Sequence, residues 1–131
     1  NEYFNSNLNK KIQPTDCIFL STHEPCSLCL SAITWSGFDN IYYFFPYNKT
    51  KELFNIPHDI NILKEIFKLD NGDYNRINSY WRSYSIIDEI KKLKDSEEYN
   101  FENNIKKIYQ EYVKLSKLYQ ENKEKNLIPL N

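Results

Sequence analysis

The sequence predicts an α/β domain built on parallel strands, with a helical extension at its C-terminal end. Three observations predict it. Two short apolar runs, Cys17-Ile18-Phe19-Leu20 and Ile41-Tyr42-Tyr43-Phe44-Phe45, flank a stretch of helical character from Ser27 to Ser36. The sequence Pro25-Cys26-Ser27-Leu28-Cys29 stands where the first run gives way to that helix. Further on, Phe101, Ile105, Ile108, Tyr112, Leu115 and Tyr119 recur at alternating steps of four and three, the seam of a long helix. A strand, a helix and a strand within about thirty residues make a right-handed β-α-β unit with parallel strands. Parallel strands that are apolar on both faces call for helices on each side of the sheet.

The 131 residues form a single-domain length, with no linker or repeat to divide them. Hydrophobic residues at 40% and charged residues at 27% are ordinary for a globular chain. Eleven Tyr and eight Phe against two Gly argue against disorder and against a turn-rich β-barrel. A net charge of −1 gives no general electrostatic case for nucleic-acid or membrane binding. No run approaches the roughly 18 apolar residues of a membrane span. Three cysteines make an odd count without framework spacing, so a reduced, cytoplasmic setting is expected. The chain has no Met and opens at Asn1, and it reads as a fragment of something longer.

Residues 1–14 are polar, with Tyr3, Phe4 and Leu8 at weak helical spacing, the end of a helix begun upstream. Residues 17–20 are the first strand, bounded by Pro14-Thr15-Asp16 and Ser21-Thr22. Cys17 in its middle reads as a buried apolar residue. Leu28, Ala32, Ile33 and Trp35 are available to pack the helix, and Gly37 follows it as a C-terminal cap. Residues 41–45 are the second strand, closed by Pro46. Residues 49–69 read as helix in two pieces, parted at Ile56-Pro57, with Ile62, Leu63, Ile66, Phe67 and Leu69 on the apolar face of the second. Asn71-Gly72-Asp73 is a turn. For residues 74–85 a short strand and an aromatic helix start are both open. Ile86, Ile87, Ile90 and Leu93 have helical spacing, ended by Lys94-Asp95-Ser96. Residues 96–131 form the helical extension. Its seam packs on the chain's own body or a sister subunit, and a homo-oligomer is expected.

Chemistry concentrates in Thr22-His23-Glu24-Pro25-Cys26-Ser27-Leu28-Cys29. Residues three apart on a helix are neighbours, so the two sulfurs share a side. Free N–H groups and the positive end of the helix dipole favour thiolate there. Thiolates suit a zinc ion or a dithiol redox reaction, and buried structural thiols are the third reading.

Pro-Cys-x-x-Cys after a strand and opening a helix resembles the second zinc motif of the cytidine/deoxycytidylate deaminase superfamily, whose signature is His-x-Glu…Pro-Cys-x-x-Cys. The resemblance covers residues 16–47, and Glu-Pro-Cys looks more like the guanine and tRNA-adenosine deaminases than the cytidine branch. It implies a three-layer α/β/α sandwich represented from its third strand onward. It also implies a zinc held by Cys26, Cys29 and one further protein ligand, with water in the fourth position. The implied reaction is hydrolytic deamination of a nucleobase, nucleoside or nucleotide, with a glutamate moving the protons. The backbone amide of Cys26 and carbonyls near His23 or Glu24 are implied contacts to the zinc-bound oxygen and the leaving amine. The His/Cys-x-Glu half of the signature is absent from the 131 residues and is expected upstream of Asn1.

Other readings stay open beside these. His23 is a third ligand, a pocket-lining residue in contact with substrate, or an exposed imidazole. Glu24 either meets substrate or caps the following helix. Trp81-Arg82, with Tyr80 and Tyr84, stacks on a base or packs in the core. The partner expected is a small molecule; tRNA is open, on basic patches such as Lys91-Lys92-Lys94, but not favoured. Two other functions remain beside deamination: a catalytically inactive protein of the same fold that serves assembly, and a Cys26–Cys29 redox protein.

Overall fold

The computed structural model describes residues 12–93 and 101–126. The readings made for residues 1–11, for Lys94-Asp95-Ser96 and beyond 126 lie outside the described residues. Within them the chain is α/β. Strands β1 (Phe19–His23), β2 (Asn40–Phe45) and β3 (Arg82–Ser85) form one sheet in the order β1-β2-β3. Both pairings are parallel, with Phe19 opposite Ile41, His23 opposite Phe45, and Tyr43 opposite Ser85. Helix α1 (Ser27–Ser36) joins the first two strands, and α2 (Tyr47–Phe54) and α3 (His58–Glu65) fill the crossover to the third. Then follow α4 (Ile86–Lys92) and α5 (Phe101–Asn122).

The first strand begins two residues later than the apolar run does. A 3-10 turn over Pro14–Asp16, closed by Cys17 N–H donating to Pro14 O at 3.0 Å, uses up the start of that run. Cys17 therefore sits half-buried before the strand, not in its middle. The strand gains Ser21, Thr22 and His23 at its other end, where Ser21 and His23 pair with Tyr43 and Phe45 of β2. Helix α1 keeps its expected bounds, and Gly37 caps it with φ +83°, its N–H donating to the Ile33 and Thr34 carbonyls. Asn55, left-handed at φ +52°, ends α2 before Pro57 lets α3 start. Residues 82–85 are a strand and not a helix start: β2 offers a free edge, and Arg82 N–H donates to Asp39 O at 2.8 Å.

Side chains alternate along each strand. One face of the sheet carries Phe19, Ile41, Tyr43, Phe45 and His23. Toward the amino ends of the strands, Ile41 packs with Ile33 of α1 and with Trp81, whose Nε1 donates to Thr34 Oγ1 at 2.8 Å. Trp81 is thus a core residue. Toward the carboxyl ends, Phe45 is fully buried among Phe54, Tyr109 and Tyr112, with ring centroids 4.8–5.1 Å away. The opposite face is open over β1: Ile18 is 65% and Leu20 70% exposed, and with Tyr42 and Ile86 they bound an apolar groove of about 440 Å³. Helices on both sides of β1 are therefore not found among the described residues.

Helix α5 docks through a stripe that shares Ile105 and Tyr112 with the heptad seam and departs from it at Ile108 and Leu115, which are exposed. Ile105, Tyr109 and Tyr112 pack on the aromatic cluster. One and two turns on, Ser116 Oγ and Gln120 Nε2 donate to Phe54 O at 3.2 and 3.0 Å. Leu115 is 56% exposed. The contact residues step by four, three, four and four, closer to the 3.6-residue turn of a straight helix than to a heptad, because a helix laid across the end of a sheet has no supercoiled partner to follow. Replacing Phe45 by Ala empties the centre of this cluster and is expected to cost about 3–5 kcal/mol in urea unfolding.

Candidate functional site

Cys26 is the N-cap of α1, and Cys29 lies in the helix's first turn. Cys29 N–H donates to Cys26 Sγ at 3.3 Å, the bond an N-cap residue normally accepts through oxygen. The two sulfurs converge, Sγ–Sγ 2.9 Å, on a surface where Cys29 is exposed and Cys26 half-buried. The hydrogen bond with Cys26 raises the Cys29 thiol pKa above its usual range, with burial and the Cys26 charge adding to it.

His23 points elsewhere. Its ring sits in an aromatic box, 5.2 Å from Phe45, 5.7 Å from Phe54 and 5.2 Å from Tyr112, with Nδ1 3.2 Å from Thr22 Oγ1. Strand alternation and pairing with Phe45 turn it toward α5. Burial lowers its pKa from 6.5.

Glu24 is buried, its side chain fully enclosed. Oε1 accepts from Tyr74 Oη at 2.7 Å and Arg76 Nε at 2.9 Å, and Oε2 accepts from the Tyr47 N–H at 2.9 Å. Glu24 does cap a helix, but α2 at the end of β2, not the helix that follows it in sequence. Arg76 also reaches Asp73 and lies over the Tyr74 ring, 4.7 Å from its centroid. Burial works against the Arg76 charge, and the two carboxylates more than offset it. Tyr47 closes the assembly: its Oη donates to Pro25 O at 2.5 Å, one residue before Cys26. Strand β1, helix α2 and the segment before β3 are thereby fastened to the turn that carries the cysteines.

Sequence reasoning did not single out Tyr47, Tyr74, Arg76 or Asp59. Only two of the 17 basic residues are arginine, and that scarcity was the available signal, since a partly buried cation that bridges two carboxylates through separate nitrogens needs the guanidinium fork. Asp59, in the first turn of α3, is half-buried. Burial raises its carboxyl pKa, and its charge in turn acts on Cys29. Nothing in the pattern of residues 49–69 marks that proximity.

Beside Glu24 and Tyr47 a polar cleft of about 580 Å³ opens at the carboxyl ends of β2 and β3. Such ends are where open α/β sheets bind ligands. Tyr43 lies on its wall, its hydroxyl pKa pushed up to about 12 by burial and by the Glu24 charge.

Comparison of the chain with protein-family models, with curated proteins and with solved structures gives no match. Among the described residues, no third His, Cys, Asp or Glu joins the two sulfurs in a group fit to hold a metal ion. Two thiolates on one side of a helix N-terminus are half of a tetrahedral zinc set, and their softness suits that ion.

Two measurements check this geometry. Glu24→Gln removes the buried countercharge of Arg76, leaving it only the exposed Asp73, and is expected to cost about 1–3 kcal/mol in urea unfolding. Because the His23 pKa is lower folded than unfolded, the unfolded chain takes up the proton first. Stability is therefore expected to be complete above pH 6.5, to fall below it, and to level off once the buried ring is itself protonated. His23→Phe should remove that arm of the pH profile.

Proposed function

We propose that this chain is part of a zinc-dependent hydrolytic deaminase acting on a nucleobase, nucleoside or nucleotide. One observation carries the reading. The sulfurs of Cys26 and Cys29 converge at the N-terminus of α1, directly after the carboxyl end of a parallel strand. Cys26 and Cys29 would hold the metal, with a third ligand contributed from outside the described residues, as the resemblance implies. When bound, zinc supplies a water acidic enough to act as hydroxide near neutral pH.

The remaining roles belong to this chain's residues. Glu24 does not move protons, because both its oxygens already accept hydrogen bonds from Tyr47, Tyr74 and Arg76. It sets the path of the cysteine turn, and Tyr47 fixes the Pro25 carbonyl beside Cys26. In the terms of the resemblance the proton-moving glutamate would come from the His/Cys-x-Glu half of the signature, which the 131 residues do not contain. A substrate in the adjoining cleft meets hydroxyl and amide groups suited to a ring's hydrogen-bonding edge.

A dithiol redox protein is a second reading, favoured by the 2.9 Å sulfur separation, which needs little movement to close a disulfide. The two readings part on metal content. The full-length protein is expected to carry about one zinc per chain by plasma mass spectrometry, retained through dialysis. Cys26→Ser and Cys29→Ser should each lose it, and ammonia should be released from one of the cytosine, guanine or adenine compounds. A metal-free protein whose thiols close reversibly on oxidation supports the redox reading. Zinc without ammonia release supports an inactive protein of the same fold.

A further inference from the structure

We propose that the cleft beside Glu24 takes an uncharged base or nucleoside and turns away its phosphorylated forms, a narrowing that rests on the deaminase reading. The cleft abuts the cysteine turn, because Glu24 and Tyr47 belong to both. Four carboxylates line it (Glu24, Asp73, Asp88 and Glu89) against two cations, Arg76 and Lys92. Both cations are engaged: Arg76 with Glu24 and Asp73, Lys92 with Glu89 at 2.6 Å. Asp88 is itself paired with Lys91 at 2.8 Å, so no cation at the wall is left unpaired to face a phosphate, and four carboxylates against three cations leave an excess of one negative charge. Sites that take phosphate present unpaired guanidinium or ammonium groups, or a run of free backbone N–H donors.

What the cleft does offer is neutral hydrogen bonding. Ser83, 5% exposed, lines it, and its Oγ lies near the Tyr74 hydroxyl without making a hydrogen bond of normal geometry. A buried hydroxyl left in that state costs stability, so its presence on a cleft wall points to a partner supplied by a ligand. Tyr43, on the same wall, adds a second hydroxyl. The volume of about 580 Å³ holds a nucleoside. A polyanion such as tRNA is disfavoured here by the same charge excess.

Calorimetric titration of the full-length protein with cytidine, guanosine, adenosine and their 5′-monophosphates tests this. One nucleoside is expected to bind, with its monophosphate at least ten-fold weaker. The paired change Asp88→Asn with Glu89→Gln should narrow that gap, and Ser83→Ala should weaken nucleoside binding without lowering Tm. A structural role for the hydroxyl would lower Tm and leave affinity alone. Equal or tighter binding of a monophosphate, or no nucleoside binding at all, overturns the inference. Zinc content and ammonia release from the same sample keep the two ideas apart. A zinc enzyme that deaminates only nucleotides keeps the deaminase reading and ends this one, whereas nucleoside binding without zinc does the reverse.

Discussion

A carboxylate sealed from water is tolerable only if its charge is met, and Glu24 meets that demand by recruiting three donors from two distant parts of the chain. The Tyr47 amide comes from the end of β2, and the Tyr74 hydroxyl and Arg76 guanidinium come from the segment before β3. Desolvation of such a group is offset only when every lone pair finds a partner, so the geometry around Glu24 is over-determined. The cysteine turn inherits that rigidity. Pro25 and Cys26 follow Glu24 directly, and the Tyr47 side chain bonds back to the Pro25 carbonyl. The exposed thiols thus stand on a buried ionic foundation, not on a mobile surface loop.

The other half of the structure is held by rings. Phe44, Phe45 and Phe54 are buried together, and α5 lays Tyr109 and Tyr112 over them. Edge-to-face contacts dominate the cluster, as the ring quadrupole favours. The polar bonds of Ser116 and Gln120 to the end of α2 fix how far the helix slides. His23 joins this cluster from the last residue of β1, so the residue two before Pro25 belongs to the core and the residue after it to the surface. The chain crosses from one environment to the other within a single turn.

Much of this was legible in the residues. The helix over residues 27–36 and its glycine cap follow from local rules of periodicity and αL conformation, which tertiary context did not override. The parallel strand pair follows from spacing alone. The start of β1 was misjudged because Cys17 and Ile18 are apolar enough to look like strand, while the deciding bond, from Cys17 N–H back to Pro14 O, belongs to turn geometry. The seam of α5 holds at Ile105 and Tyr112 and fails at Ile108 and Leu115, which fit a heptad as well as the true contact residues do. Only the position of Phe54 O chooses between Leu115 and Ser116, and that position lies 62 residues away in sequence. Convergence of the two sulfurs was readable from an i, i+3 spacing. The Glu24–Arg76 pair was not, since nothing local links residues 24 and 76.

That separation has a kinetic meaning. Fifty-two residues must be made, and a loop of that length closed, before Glu24 finds its cation. During synthesis on a ribosome the thiols emerge first and their support emerges last. A nascent chain paused before Arg76 leaves the carboxylate uncompensated and the turn unsettled, so its sulfurs are then most open to air oxidation and to stray metals. The donor that completes the Glu24 network arrives 52 residues after the carboxylate it serves, and until then the cysteine turn stands without its anchor.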